Sequence, residues 1–173
     1  EKWKLSQIPQ VEGALVSMRS EDGAINALVG GFNFYQSKFN RATQAQRQPG
    51  SSFKPILYSA ALEKGFTPAS IINDAPVVFD DPSLESAWRP ENYSGKFYGP
   101  TRMREALVRS RNLVSIRLLQ SAGIRHTINH AKKFGFNPQQ MPHDLSLSLG
   151  SASSTPLDMT RAYAVFSNGG FRV

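Results

Sequence analysis

The sequence contains no cysteine and no long hydrophobic run. The absence of cysteine excludes disulfide bonds and cysteine-ligated metal sites. Because the longest apolar runs extend over only a few residues, we expect no segment of these 173 residues to span a bilayer. A hydrophobic content of 40% and a mean hydropathy of −0.35 are instead typical of a globular domain with an ordinary core.

Acidic side chains are also scarce, since 20 Lys and Arg residues face 13 Asp and Glu residues and leave a net charge of +7. Such an excess suits an acidic partner, such as nucleic acid, anionic lipid or an acidic polymer. The basic residues are spread from Lys2 to Arg172, however, and no recurring aromatic and basic pattern of nucleic-acid-binding families occurs. We therefore favour a solvated basic surface and expect no nucleic-acid binding.

A hairpin signal lies in the first part of the chain. Two short apolar runs, at 14–18 and 25–29, flank Glu21-Asp22-Gly23, and Asp-Gly is a strong turn signal because glycine tolerates positive φ. We predict a linker over 1–12 and a hairpin of a central sheet over 13–31. The polar stretch 35–48 has no strong period and predicts an extended connector.

One serine occupies a position that favours nucleophilic chemistry. Ser51 is the only serine followed three positions later by a lysine, Lys54. On a helix, residues three apart share a face, so Lys54 can reach back toward the hydroxyl that it would activate as a base. We predict a nucleophile helix over 51–65 that ends at Gly65. Its predicted buried stripe comprises positions 53, 56, 57, 60, 61 and 62.

The remaining chain predicts an irregular segment followed by helices. Residues 73–100 are rich in turn-forming residues around one short strand at 77–79. Residues 101–170 predict a mainly helical subdomain, with helices at 103–108, 113–122, 124–134 and 156–168. The last helix has Thr155 at its N-cap and Asp158 three positions later, a pattern that predicts a capping box.

A second polar cluster, Ser110-Arg111-Asn112, is the only Ser-x-Asn in the chain. In extended or turn geometry, residues i and i+2 face the same side, so both polar groups could point into one cavity. A hydroxyl can relay a proton, and a carboxamide can both donate to and accept from a peptide group. Taken alone, the cluster is more typical of a helix cap than of a site.

The two clusters in this order resemble the penicillin-recognising acyl-serine enzymes. Further matches are Gly-Gly at 30–31, Asn-Arg-Ala-Thr-Gln-Ala at 40–45, Gln-Pro-Gly-Ser-Ser-Phe-Lys-Pro at 48–55, Ser-Leu-Gly at 148–150, Thr-Pro-Leu at 155–157 and Asn-Gly-Gly at 168–170. The chain is similar to the transpeptidase domain of class A (bifunctional) penicillin-binding proteins of the Gram-negative 1A type. The resemblance is weakest at 73–99. It implies an α+β fold, in which helices pack on an antiparallel sheet beside a helical subdomain.

This resemblance implies a peptidoglycan D,D-transpeptidase that works through an acyl-serine intermediate. Ser51 would attack the D-Ala–D-Ala carbonyl of a stem peptide and bind it covalently, and a neighbouring stem amine would then displace Ser51. Lys54 would be the general base, Ser110 would relay the proton, and Asn112 would bind the substrate amide. The backbone N–H of Ser51 would stabilise the oxyanion, and β-lactams would acylate the same serine.

The implied role of Lys54 requires a low pKa. A lysine side chain has a pKa near 10.4 in water, so a base that works near neutral pH needs a large downward shift. Burial and neighbouring cations can both supply it, and Arg41 and Arg47 are close in sequence.

The family's third motif, Lys-Thr-Gly on a strand that lines the site, does not occur in these residues. We therefore expect residues 1–173 to form the N-terminal part of a transpeptidase domain that is inactive by itself. The glycosyltransferase and the membrane anchor are expected elsewhere in the full-length protein, at the periplasmic face of the inner membrane. The implied partners are stem peptides ending in D-Ala–D-Ala, β-lactams and the rest of the same polypeptide. No cofactor is implied.

Three alternatives remain: a serine β-lactamase-like hydrolase, a D,D-carboxypeptidase and a non-catalytic penicillin-binding sensor. A class A β-lactamase places a water-activating glutamate beyond its Ser-x-Asn motif. This chain has no glutamate beyond Glu105, and its only later carboxylates are Asp144 and Asp158. A metal site is not expected either. His126 and His130 are four residues apart, but a third ligand is not evident and we expect them on a solvated helix face.

Overall fold

A computed structural model of the chain describes Leu5, residues 7–77 and residues 88–173. The chain divides into two compact units. The first combines the described residues up to Arg47 with Ser154–Val173, and the second is formed by the described residues of Gln48–Ser153. Every helix in the described part of the chain is too short or too polar to cross a bilayer.

The structure has both strands and helices, as an α+β fold requires. Within the described residues, the strands are β1 (Leu15–Met18), β2 (Ile25–Val29), β3 (Ile71–Asp74) and β4 (Gly99–Arg102). The α-helices in the same residues are α1 (Arg41–Gln44), α2 (Lys54–Glu63), α3 (Met103–Val108), α4 (Asn112–Ala122), α5 (Ile124–Lys133) and α6 (Pro156–Ser167).

The first unit contains the hairpin that the sequence predicts. β1 and β2 pair antiparallel, with Leu15 opposite Val29, and the backbone N–H of Ala24 donates to the Asp22 carboxylate in the turn. Helix α6 packs against β1, and the side-chain amide of Asn168 donates to the carbonyl of Ser20 over 2.9 Å. The unit is therefore assembled from both ends of the chain.

Two features of this unit concern local predictions. The capping box at α6 is confirmed, because the Thr155 hydroxyl accepts from the Asp158 N–H over 3.1 Å and the Asp158 carboxylate accepts from the Thr155 N–H. The prediction of an extended connector over 35–48 is wrong. It contains α1, whose first turn is capped by the Asn40 side chain, which accepts from the Ala42 N–H.

The predicted nucleophile helix begins one turn later than expected. Residues Gly50–Phe53 form a 3₁₀ turn, and the α-helix α2 starts only at Lys54. Pro55 has no N–H to donate to a carbonyl one α-turn earlier, so the α-helical pattern cannot extend back through it. In 3₁₀ geometry, residues three apart are nearly eclipsed, and Ser51 and Lys54 therefore still share a face.

Helix α2 forms the centre of the second unit. It packs against α4 and α5 and buries Ile56, Leu57, Ala60 and Ala61 completely, and Phe53 of the preceding turn is buried with them, as the predicted stripe requires. Leu62, which was expected in that stripe, is 47% exposed. The Phe53 ring also packs edge-on against Phe136, with their centroids 5.6 Å apart, so the turn that carries Ser51 is anchored in the core.

A strand pair lies where we expected an irregular segment. β3 pairs antiparallel with β4, with Ile71 opposite Arg102 and Asp74 opposite Gly99. β4 contains glycine and proline, which disfavour strands locally, and its pairing depends on a partner more than 20 residues away. Of the strand expected at 77–79, Val77 is not in a strand and the other two residues lie outside the described part.

The helical part of the chain also differs from its prediction in two respects. α3, α4 and α5 belong to the second unit, whereas α6 belongs to the first, so residues 101–170 do not form one unit. The solvated face expected for the histidines is wrong for His130, which is 6% exposed. Its Nε2 lies 2.9 Å from the Ser59 hydroxyl and its Nδ1 lies 3.0 Å from the Glu63 carboxylate, because α5 packs on α2.

Gly150 has a φ of +74°, and the Gly50 backbone lies against it where a side chain would otherwise be. The Gly50 N–H donates to the Gly150 carbonyl over 3.2 Å, and a Cβ on Gly150 would overlap the Gly50 carbonyl oxygen. We expect Gly150→Ala to lower the free energy of unfolding by about 2–5 kcal/mol, from left-handed backbone strain and overpacking combined. Thermal and urea unfolding of the purified protein measure this.

Gly65→Ala is the matched control. Gly65 also has a positive φ, +87°, but nothing lies near the position that its Cβ would occupy. This variant should lose only the backbone term of about 1–2 kcal/mol. Equal losses at the two positions would contradict the importance of the Gly50–Gly150 contact.

Candidate active site

Three elements of the second unit bring the predicted polar residues together. Ser51 lies on the 3₁₀ turn before α2, Lys54 is the first residue of α2, and Asn112 is the first residue of α4. Ser110 lies just before α4 in a left-handed conformation with a φ of +53°, which is rare for a residue with a side chain. The structure therefore places Ser110 and Asn112 beside Lys54, although they are more than 50 residues away in sequence.

The Lys54 amino group is held by three oxygen atoms. Its Nζ lies 2.7 Å from Asn112 Oδ1, 2.8 Å from the Ser110 carbonyl oxygen and 3.0 Å from Ser110 Oγ. The side chain is only 1% exposed. Both residues of the Ser-x-Asn motif thus contact the lysine of the Ser-x-x-Lys motif directly.

Burial has a chemical consequence for this amine. Desolvation disfavours the charged ammonium and lowers the pKa of Lys54 to about 8. The neighbouring cations that the sequence offered as a second cause do not contribute: Arg41 pairs with Glu12 in the first unit, and burial alone accounts for the shift. A useful fraction of Lys54 is therefore neutral near physiological pH.

The contacts also determine which way a neutral Lys54 would point its lone pair. The Ser110 carbonyl oxygen can only accept a hydrogen bond. The atom of Asn112 that faces Lys54 is also an acceptor, Oδ1, because the NH₂ end of the same amide donates to the Glu91 carbonyl over 2.9 Å. A neutral amine has two N–H groups and one lone pair. The two N–H groups can be donated to the two carbonyl-type oxygens, which leaves the lone pair free to accept a proton.

Ser51 is at the surface of the same site. It lines a cleft of about 450 Å³ together with Asn92, Tyr93, Ser94 and Arg109–Asn112. Within the described residues its hydroxyl makes no hydrogen bond, so it is available to a molecule in the cleft. Catalytic hydrogen bonds commonly tighten only when substrate is bound, and the exposed hydroxyl is compatible with a nucleophile.

Among the residues that the structure describes, arginines line the cleft and carboxylates do not. Its described lining includes Arg109 and Arg111 and neither Asp nor Glu. The later carboxylates are occupied elsewhere, because Asp144 accepts from the Ser146 N–H and Asp158 caps α6. Glu105 pairs with Arg109 through an oxygen 2.9 Å away. A carboxylate that could activate water is thus not found among the described residues that line the cleft.

Sequence reasoning missed Asn92 and Asp74, which lie behind the Ser-x-Asn turn. The Asn92 side chain accepts from the Asn112 backbone N–H over 2.8 Å and donates to the Asp74 carboxylate. Asp74 is completely buried at the end of β3. Nothing in the spacing of residues 74, 92 and 112 indicates this contact, because the segment between them has no regular period.

The chain matches the family described as the penicillin binding protein transpeptidase domain over residues 13–173. Penicillin-binding protein 1A of Pseudomonas aeruginosa is 55% identical over 167 residues, which are 96% of this chain and 20% of that protein. The chain spans about a fifth of the length of the curated relatives that it matches.

Solved structures of penicillin-binding proteins are similar to this chain as well. The crystal structure of penicillin-binding protein 1A from Haemophilus influenzae is similar with a TM-score of 0.93 at 50% identity, covering 99% of this chain and 25% of that one. PonA1 from Mycobacterium tuberculosis, in complex with penicillin V, gives a TM-score of 0.76 at 28% identity, covering 89% and 43%. The chain belongs to the penicillin-binding protein transpeptidase family, with the α+β fold of its solved members.

Proposed function

We propose that this chain carries the nucleophile and the general base of a peptidoglycan D,D-transpeptidase that forms an acyl-serine intermediate. The observation that carries the proposal is the buried Lys54 amine, held by Ser110 and Asn112 beside the cleft that Ser51 lines. An amine in this setting with a pKa of about 8 is suited to accept a serine proton.

In the first step, Ser51 Oγ attacks the carbonyl of the penultimate D-alanine in a stem peptide. The hydroxyl proton passes to Lys54, and negative charge develops on the carbonyl oxygen, which the Ser51 backbone N–H would stabilise. The C–N bond to the terminal D-alanine then breaks. Ser110 relays the proton from Lys54 to the departing amine, which leaves as D-alanine.

Asn112 is the proposed substrate-binding residue. One lone pair of its Oδ1 is used by Lys54 and one N–H of its amide is used by the Glu91 carbonyl. A carboxamide offers two lone pairs and two N–H groups, so one of each remains for the amide group of a stem peptide.

In the second step, an amine of a neighbouring stem attacks the ester on Ser51. Its proton returns through Ser110 and Lys54, the ester C–O bond breaks, and a new peptide cross-link forms. A β-lactam resembles the first substrate but keeps its leaving group tethered, and it would acylate the same serine. The solved PonA1 structure described above holds penicillin V, which supports this susceptibility in the family.

We further propose that a glycosyltransferase, a membrane anchor and the Lys-Thr-Gly strand belong to the remaining length of the protein. That arrangement would place the active enzyme at the periplasmic face of the inner membrane. The partners would be stem peptides ending in D-Ala–D-Ala and β-lactams.

The nucleophile is tested by serine variants of the full-length protein treated with a fluorescent penicillin. Ser51→Ala should give no covalent adduct, because it removes the hydroxyl that is proposed to attack. Ser52→Ala, its neighbour, should label at a rate close to wild type. Mass spectrometry of the labelled peptide identifies the acylated position, and an adduct that persists in Ser51→Ala would refute the proposal.

The base is tested by the pH dependence of acylation. Because only neutral Lys54 can take the serine proton, the acylation rate should rise about tenfold per pH unit below the pKa of about 8 and level off above it. Lys54→Met should lower the rate about 100- to 10,000-fold and abolish this rise. Stopped-flow or gel-based labelling across pH 6–10 measures both, and a flat profile in the wild type would exclude Lys54 as the base.

The lifetime of the adduct separates a transpeptidase from a hydrolase. Since no described carboxylate lines the cleft, the penicillin adduct on Ser51 should persist for many minutes. Chasing the labelled enzyme with unlabelled penicillin measures its decay. Rapid turnover would instead favour a β-lactamase-like enzyme. Penicillin binding that survives in Ser51→Ala, without release of D-alanine from a stem peptide by the wild type, would favour a non-catalytic sensor.

A further inference from the structure

The second unit contains a buried polar network that the proposed mechanism does not use. Its centre is Asn92, which is 5% exposed and lies 20 residues before Asn112. Its amide nitrogen lies 2.8 and 2.9 Å from the two oxygens of Asp74 and 2.9 Å from the Lys96 carbonyl. Its amide oxygen accepts from the Asn112 N–H over 2.8 Å.

The orientation of the Asn92 amide is fully determined by these partners. Its NH₂ end faces only acceptors, the Asp74 carboxylate and the Lys96 carbonyl, and its oxygen end faces a donor, the Asn112 N–H. Rotation of the amide by 180° would set oxygen against oxygen and leave a buried carboxylate without its donor. Such an unpaired buried charge is costly, so the network holds one arrangement.

The same carboxylate is also connected to the middle of the Ser-x-Asn motif. Arg111 Nε lies 3.9 Å from Asp74, and the Arg111 guanidinium stacks on the Tyr98 ring with its central carbon 3.3 Å from the ring centroid. Two neighbouring residues are therefore linked to Asp74. Arg111 is attracted to its carboxylate by charge, and Asn112 is connected to it through the Asn92 side chain. The residue before them, Ser110, has the strained φ of +53°.

A strained backbone of this kind costs about 1–3 kcal/mol and persists only where its surroundings enforce it. The strained backbone conformation at Ser110 directs both the carbonyl and the hydroxyl of this residue to Lys54 Nζ. The Asn112 side chain, one residue beyond Arg111, completes the three contacts. Whatever holds the Asn112 backbone therefore also sets the geometry around the amine.

We propose that Asn92 is a positioning residue for acylation, which holds the Ser110–Asn112 turn against Lys54 by linking the Asn112 backbone N–H to the buried Asp74 carboxylate. This inference rests on the proposed acylation of Ser51. Asn92 does not take part in proton transfer. An amide is required because it must accept from a backbone N–H at one end and donate to a carboxylate at the other.

The test compares two variants of the full-length protein. Asn92→Ala removes both links and should lower the second-order rate of acylation by penicillin about 100-fold, the effect of a displacement near 1 Å in a catalytic geometry. Asn92→Asp keeps the acceptor for the Asn112 N–H but sets a second carboxylate against Asp74. Two carboxylates so close cannot both be ionised without cost, so one of them takes up a proton more readily than usual.

The pH dependence of Asn92→Asp is the decisive measurement. A protonated carboxyl at position 92 can donate to Asp74 as the amide does. The rate relative to wild type at the same pH should therefore be lowest at pH 8.5 and recover toward pH 5.5. Dividing by the wild-type rate removes the titration of Lys54. In the described part of the chain, the charged groups that face position 92 are Asp74 and Arg111, with Tyr98 against Arg111. The Asn92→Ala ratio should not change with pH.

Asn137→Ala is the matched control. It removes an asparagine side chain of the same unit, which accepts from the Gln139 N–H over 3.1 Å outside the cleft, and it should acylate like the wild type. Circular dichroism at each pH confirms that the variants are folded. A normal rate in Asn92→Ala, or a pH-independent ratio in Asn92→Asp, would overturn the positioning role. Failure of the proposed function is recognised separately, because the wild type would then show no adduct on Ser51.

Discussion

The chemistry proposed for this chain depends on one buried amine. Lys54 is almost completely removed from solvent, and its amino group is surrounded by two oxygens of Ser110 and one of Asn112. Desolvation lowers its pKa to about 8, while the three oxygens orient it. Without burial the amine would be charged at neutral pH and could not act as a base. Without the oxygens it would have no defined direction.

The rest of the second unit supports this arrangement. The Phe53 ring anchors the 3₁₀ turn in the core, and the close backbone contact between Gly50 and Gly150 fixes the turn from the other side. On the opposite wall, Asp74 and Asn92 lie behind the Ser-x-Asn turn. The proposed nucleophile and base thus lie at helix starts, whereas the proposed relay residue, Ser110, lies on a strained turn that needs external support.

The carboxylates of the chain help to distinguish synthesis from hydrolysis. Acyl-serine enzymes share the first half-reaction, which forms the ester on serine. They differ in whether water or an amine attacks that ester in the second half-reaction. Within the described residues, the cleft has arginines and amides but no Asp or Glu to activate water. This composition supports the proposal that an amine, and not water, attacks the ester on Ser51, in keeping with the membership of the chain in the transpeptidase family.

The sequence alone determined the features that depend on neighbours along the chain: the Asp22-Gly23 turn, the bounds of α3, the capping box of α6, and the shared face of Ser51 and Lys54. Each follows from local periodicity, turn chemistry or helix geometry. Only the tertiary structure decided that Asn92 and Asp74 hold Asn112, that β3 pairs with β4, and that α5 buries His130. Those contacts join residues that are 18 to 71 positions apart in the sequence. Local spacing cannot predict them, because such residues meet only when the whole chain has folded.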